Sequence, residues 1–252
     1  MFRKIMARLT GKPPGRSGEA RADLGAPAEP VTARPEVMTG AFEAGFVGEA
    51  ADKRYPLRTL RIGEVNLASG RLVVADPFTV RGEDAPLDLE LAPGRYPVDI
   101  AVADAGENGH RVALARVVLS PETPVRWTLA VTAEQGPATL NSGDIFGYGV
   151  DAGTAAFMDA GSVAWLAGLS FEESEVLTDG WQARGEALGP DLGIPYGFVL
   201  VEEVGPGGAA MFSSGWGDGF YASWVGHDAQ DRPVQVVTDF AVITAVNIPR
   251  PR

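Results

Sequence analysis

The run Ser213-Ser214-Gly215-Trp216-Gly217-Asp218-Gly219 gathers the densest set of residues able to do chemistry. Glycines reach positive φ and let a ligand approach the backbone, and Asp218 adds a charge, so the run can bind an anion or a metal ion. With Tyr221 just beyond it, the expected ligand-binding set is Ser214, Gly215, Trp216, Gly217, Asp218, Gly219 and Tyr221. A tight turn or bulge with Trp216 packed on a sheet is the competing reading, because spaced glycines also mark plain turns. The run lacks the Gly-x-Ser-x-Gly order of a nucleophile elbow.

A second constellation surrounds the glycine turn Tyr148-Gly149-Val150-Asp151-Ala152-Gly153-Thr154, which is followed by Phe157-Met158-Asp159. Asp151, Asp159 and Asp218, with Asp76 and Asp239 as further candidates, would make an oxygen-ligand site for a divalent cation, magnesium or calcium. The spacing is not that of a helix-loop-helix calcium loop, since Gly153 and Ala155 stand in liganding places. Helix caps and turn aspartates are the alternative use of these carboxylates. Asp104–His110 reads as a hairpin loop, its twelfth place being Ala115 rather than an acid. His227-Asp228 offers a base beside an acid, but neighbours in a strand point apart.

The absence of cysteine removes disulfides, thiolate metal sites and cysteine nucleophiles together, and only His110 and His227 remain for imidazole chemistry. The net charge of −12 is uneven. Residues 1–22 carry six Lys/Arg against Glu19 alone, net +5, which leaves −17 on the rest. Such a body repels nucleic acid and favours cationic partners or metal ions. Phe2, Ile5, Met6 and Leu9 share one helical face opposite Arg3, Lys4 and Arg8, so residues 1–10 are expected to make weak contact with an anionic membrane surface or to serve as a solubilising tail. Gly11 to about Pro35 is poor in large apolar side chains and reads as a disordered linker. Residues 1–36 are therefore a tail and linker, and 37–252 a single β-rich domain.

Elements that would position the candidates follow from periodicity. Tyr96, Val98, Ile100 and Val102 share a strand face, as do Val112, Leu114 and Val118, and again Val125, Trp127, Leu129 and Val131. Strands return at Phe198–Glu203, Ala209–Ser213, Gly219–Gly226 and Pro233–Val242, the last two joined by the turn His227–Arg232. Between them, helices capped by Asp159 and Ser170 are expected, the second over Phe171–Leu188. The fold class is mainly β, an antiparallel sandwich or open barrel-like sheets, with two short helices in the middle.

Several of these stretches together resemble the bacterial family called domain of unknown function 4241. The matching blocks are Gly70-Arg71-Leu72 through Ala75-Asp76-Pro77-Phe78, Pro93-Gly94-Arg95-Tyr96-Pro97-Val98, Arg111-Val112-Ala113 with Arg126-Trp127, Val150–Thr154 with Phe157-Met158-Asp159, Ser214–Tyr221, and Val237-Thr238-Asp239-Phe240. Ala155-Ala156 and Ala222-Ser223-Trp224 depart from the pattern. The resemblance implies a bacterial, cytoplasmic protein, peripheral to the inner face of the membrane if the tail engages it, and carries no established reaction. Two functions compete: a binding or interaction module, immunity-type or accessory, that recognises a protein or small ligand through glycine-rich loops, and a metal-dependent hydrolase that uses the Asp cluster.

Overall fold

Every residue of Leu72–Ala75 and of Ala155–Met158 is apolar and buried. Strands without a polar face must be covered on both sides, and these two set the layering of the molecule. The computed structural model describes residues 33–50, 53–80, 82, 84–140, 144–195 and 197–246. The expected amphipathic segment 1–10 and nearly all of the linker lie outside the described residues.

In chain order the elements are α1 (Pro35–Gly40), β1 (Val47–Ala50), β2 (Lys53–Leu67), β3 (Leu72–Ala75), β4 (Gly94–Asp104), β5 (His110–Val118), β6 (Arg126–Leu129), β7 (Tyr148–Val150) and β8 (Thr154–Asp159). Then come α2 (Ala160–Ala167), α3 (Phe171–Asp191), β9 (Val199–Val204), β10 (Gly207–Ser213), β11 (Gly219–His227), β12 (Pro233–Asp239) and β13 (Ala245–Val246). All pairings between these strands are antiparallel. The larger sheet runs β13-β1-β2-β4-β5-β12-β11-β6, with β7 also on β11, and the smaller runs β3-β8-β10-β9. The fold is mainly β, and neither sheet closes into a barrel.

Side-chain alternation along the smaller sheet separates two cores. Leu72, Val74, Ala155, Phe157, Ala210 and Phe212 face the larger sheet, whose Ile100, Val236 and Phe240 meet them. Val73, Ala156, Met158, Ala209 and Met211 face the other way, onto a core closed by Trp181 of α3 and Phe198. The result is three layers: large sheet, small sheet, helices. Phe157, Phe212, Phe240 and Tyr221 form a chain of rings with centroid separations of 5.2, 6.2 and 5.0 Å, the first pair tilted and the other two edge-on, joining the small sheet to β11 through the core.

Both middle helices begin at the expected caps. Asp159 accepts from the Gly161 N–H at 2.8 Å, and Ser170 with Glu173 completes a capping box. The second helix runs to 21 residues, and Gly185 lets it close on the Phe198 ring, where a Cβ would stand 2.3 Å from the ring carbons. On the far face of the large sheet, buried Asp99 is held by Arg61 and Arg116, and the Phe42 ring lies 4.2 Å from the Arg116 guanidinium. Among the described residues no helix is long and apolar enough to cross a membrane.

Candidate functional site

Three turns separate in sequence meet beside the start of β8. Just after β3, Asp76 turns its carboxylate inward. Its Oδ1 accepts from the Phe78 N–H at 2.9 Å, and its Oδ2 from the Asp151 and Ala152 N–H groups at 2.9 and 2.8 Å. Burial pushes the Asp76 carboxyl above its ordinary range, opposed by those three N–H groups. Gly153, at φ +63°, is then gripped from the other side: its N–H donates to Asp218 Oδ1 and its carbonyl accepts from the Ser214 N–H, both at 3.0 Å.

The Ser214–Gly219 loop is tied to itself. Ser214 Oγ donates to the Gly217 carbonyl at 2.9 Å, the Gly217 N–H donates to the Ser214 carbonyl at 2.7 Å, and the Tyr221 hydroxyl donates to Gly217 O at 2.7 Å. Gly215 sits at φ +52° with its α-carbon against Phe240, where a Cβ would come within 2.7 Å of the Phe240 Cβ. A side chain is excluded there by both conformation and space.

So braced, the loop leaves Trp216 outside, 52% exposed, rather than packed on the sheet. The Arg111 guanidinium carbon lies 5.2 Å from its ring centroid. Between them opens a cleft of about 150 Å³, lined by His110, Arg111 and Val112 of β5, Gly153, Ile194 and Gly197 of the segment after α3, and Ser213, Gly215, Trp216 and Gly217.

Of the expected ligand-binding set, Gly215, Trp216 and Gly217 line this cleft, whereas Ser214, Asp218 and Tyr221 hold the loop in shape. Gly219 opens β11, where a Cβ would meet the Tyr221 ring. The proposed metal set is not gathered. Asp151 and Asp218 lie at the start of β8, but Asp159 lies at its other end, roughly 20 Å away at the rise of a six-residue strand. There Asp159 accepts from Ser69 N and Oγ at 2.8 and 2.6 Å and caps α2. Among the described residues no three His, Asp or Glu side chains are grouped as a metal ion would need. Asp239 pairs with Arg34. His227 and Asp228 diverge: His227 Nε2 bonds Thr128 Oγ1 at 2.8 Å, while Asp228 accepts from the Gln230 and Arg232 N–H groups of its own turn at 2.9 Å each.

Sequence reasoning passed over His110 and Arg111 as site residues. The available signal was the block Arg111-Val112-Ala113, whose cation stands at a strand start immediately after a hairpin loop.

Residues 65–238 match a family model described as protein of unknown function (DUF4241). No curated protein and no solved structure matches the chain. The matched stretch runs from β2 to β12 and contains every residue that lines the cleft, and on that match, over more than half of its length, the chain belongs to the DUF4241 family.

Proposed function

We propose that the chain is a binding module whose ligand enters the cleft between Arg111 and the Ser214–Gly219 loop. One observation carries the reading: Arg111, Gly153 and Gly215–Gly217, drawn from three separate parts of the chain, converge on one opening, and the turns between them are spent on holding it open. Ligand sites of this kind combine a preformed concavity with a few fixed polar groups and an aromatic surface. At about 150 Å³ the cleft is smaller than the roughly 300–1,000 Å³ of pockets that enclose a whole drug-sized ligand. It suits a small molecule or the head group of a larger one.

The test is a thermal-shift screen of small metabolites on the full chain and on Trp216→Ala. A ligand at about 100 times its Kd should stabilise the native chain by ~2.7 kcal/mol and the variant distinctly less. Hits that stabilise both proteins equally refute the assignment of the cleft. Hydrolysis of a generic ester or phosphoester panel that disappears in Asp151→Ala would replace binding with chemistry.

A further inference from the structure

Most described arginines of this acidic protein pair with a carboxylate, whereas Arg58 bonds the Leu192 and Gly193 carbonyls instead and Arg111 stands over an indole. Arg61, Arg116, Arg184 and Arg232 each hold a carboxylate. Arg111 reaches none among the described residues: its Nη1 donates to the His110 carbonyl at 3.0 Å, and its guanidinium carbon lies over the Trp216 ring, 5.2 Å from the centroid. A guanidinium has five N–H donors in its plane. One of them is spent on the His110 carbonyl, and the others remain able to take a planar or tetrahedral oxyanion in a fork. The neighbouring carboxylates are occupied, Asp218 by the Gly153 N–H and Asp76 by the turn beneath it. Among the described residues the cation, which lines the cleft, forms no ion pair with a carboxylate. His110 and the glycine backbone line the same space, with little side-chain bulk to keep an anion from the main chain.

We infer that the cleft takes a small oxyanion, the carboxylate or phosphate group of its ligand, held by the N–H groups of the Arg111 guanidinium over the Trp216 ring. The inference rests on the binding reading above and names the ligand chemistry that reading leaves open. A volume of about 150 Å³, the size of cavity that admits a benzene-sized molecule, accommodates such a group with only a short attachment.

The experiment follows backbone amide and indole N–H resonances of the full chain during titration at constant ionic strength with sodium phosphate, sodium acetate and neutral acetamide. Saturable shifts of Gly153, Gly215, Gly217 and the Trp216 indole are expected with phosphate or acetate and not with acetamide. Arg111→Gln should weaken the responding anion at least tenfold. Arg111→Lys, which keeps the charge and loses the fork, should fall between. Arg71→Gln, an exposed arginine at the opposite end of β8, should behave as the native chain, and the amide dispersion of each variant reports that it is folded. Equal anion affinity in the native chain and Arg111→Gln overturns the inference, as does acetamide binding as well as acetate. Cleft shifts with acetamide or other neutral fragments but with neither anion would also overturn it while leaving the binding reading in place. Cleft resonances that respond to no probe, charged or neutral, remove both.

Discussion

Removing the Asp76 carboxylate should loosen the candidate site from beneath. Asp76 is 2% exposed and accepts three backbone N–H groups, from Phe78, Asp151 and Ala152. Asp76→Ala leaves all three without an acceptor. At the low end of about 1.5 kcal/mol for each hydrogen bond to a charged group, the three sum to about 4.5 kcal/mol. Two offsets reduce it. Asp151 and Ala152 lie on an exposed turn, so water can replace part of the loss, and the variant no longer desolvates a carboxylate. The expected destabilisation is ~2–3 kcal/mol, read as a lower urea midpoint at unchanged slope. Asp76→Asn, whose amide oxygen can still serve one side of the turn, should lose about half as much. Hydrogen exchange gives the local readout: the Asp151, Ala152 and Gly153 amides should exchange faster while those of β4 and β5 keep their protection. A midpoint within ~0.5 kcal/mol of the native chain, or an unaltered Asp151–Gly153 segment, would refute the view that Asp76 shapes this turn.

The same carboxylate predicts a pH dependence. Its folded-state pKa is raised by burial, so folding favours the protonated form; the associated stability is fully present below the unfolded value of about 3.9 and is lost as pH rises through the higher folded value. The stability difference between the native chain and Asp76→Asn, measured by urea titration from pH 3 upward, should shrink over that window, and a difference that grows would contradict the raised pKa. Gly215→Ala must place a side chain at positive φ against Phe240, which should cost ~2–4 kcal/mol from strain and overlap together and lower the thermal midpoint. Ser170→Ala removes the capping box of α3 and should cost ~1 kcal/mol, with faster amide exchange limited to its first turn. Phe157→Ala, fully buried between Phe212 and the large sheet, should cost ~3–5 kcal/mol in denaturant titration.

How legible each element was in the sequence depended on whether a strand shows water one of its faces. The tight turn between β11 and β12 and the hairpin loop between β4 and β5 carried their own punctuation, and the strands around them appear within a few residues of the expected bounds. β3 and β8 gave no alternation to find, since both faces of each are buried, and Phe157-Met158-Asp159 read as the approach to a helix rather than as the middle of a sheet. β2 does alternate at Tyr55, Leu57, Val65 and Leu67, but the bulge between Arg61 and Gly63 shifts its phase, and Pro56 and a scatter of charges hide the rest. The site divided similarly. Glycines at 153 and 215 pointed correctly to a special backbone, because their requirement is local. That the Asp76 and Asp218 carboxylates would be spent on N–H groups, and that Arg111 would arrive over Trp216, depends on contacts 65 or more residues apart, which local spacing does not encode.

The chain changes sheets four times, giving β3 to the small sheet, returning for β4–β7, leaving again for β8–β10 and coming back for β11–β13. A ribosome delivering this chain from its N-terminus therefore releases β3 some eighty residues before β8 can pair with it, and the large sheet lacks β12, the strand that joins β5 to β11, until the small one has been made. During that interval the nascent protein carries bare, wholly apolar strands with open edges, the kind of surface that chaperones hold and that aggregates capture. Neither sheet is therefore drawn from one continuous stretch of the described chain.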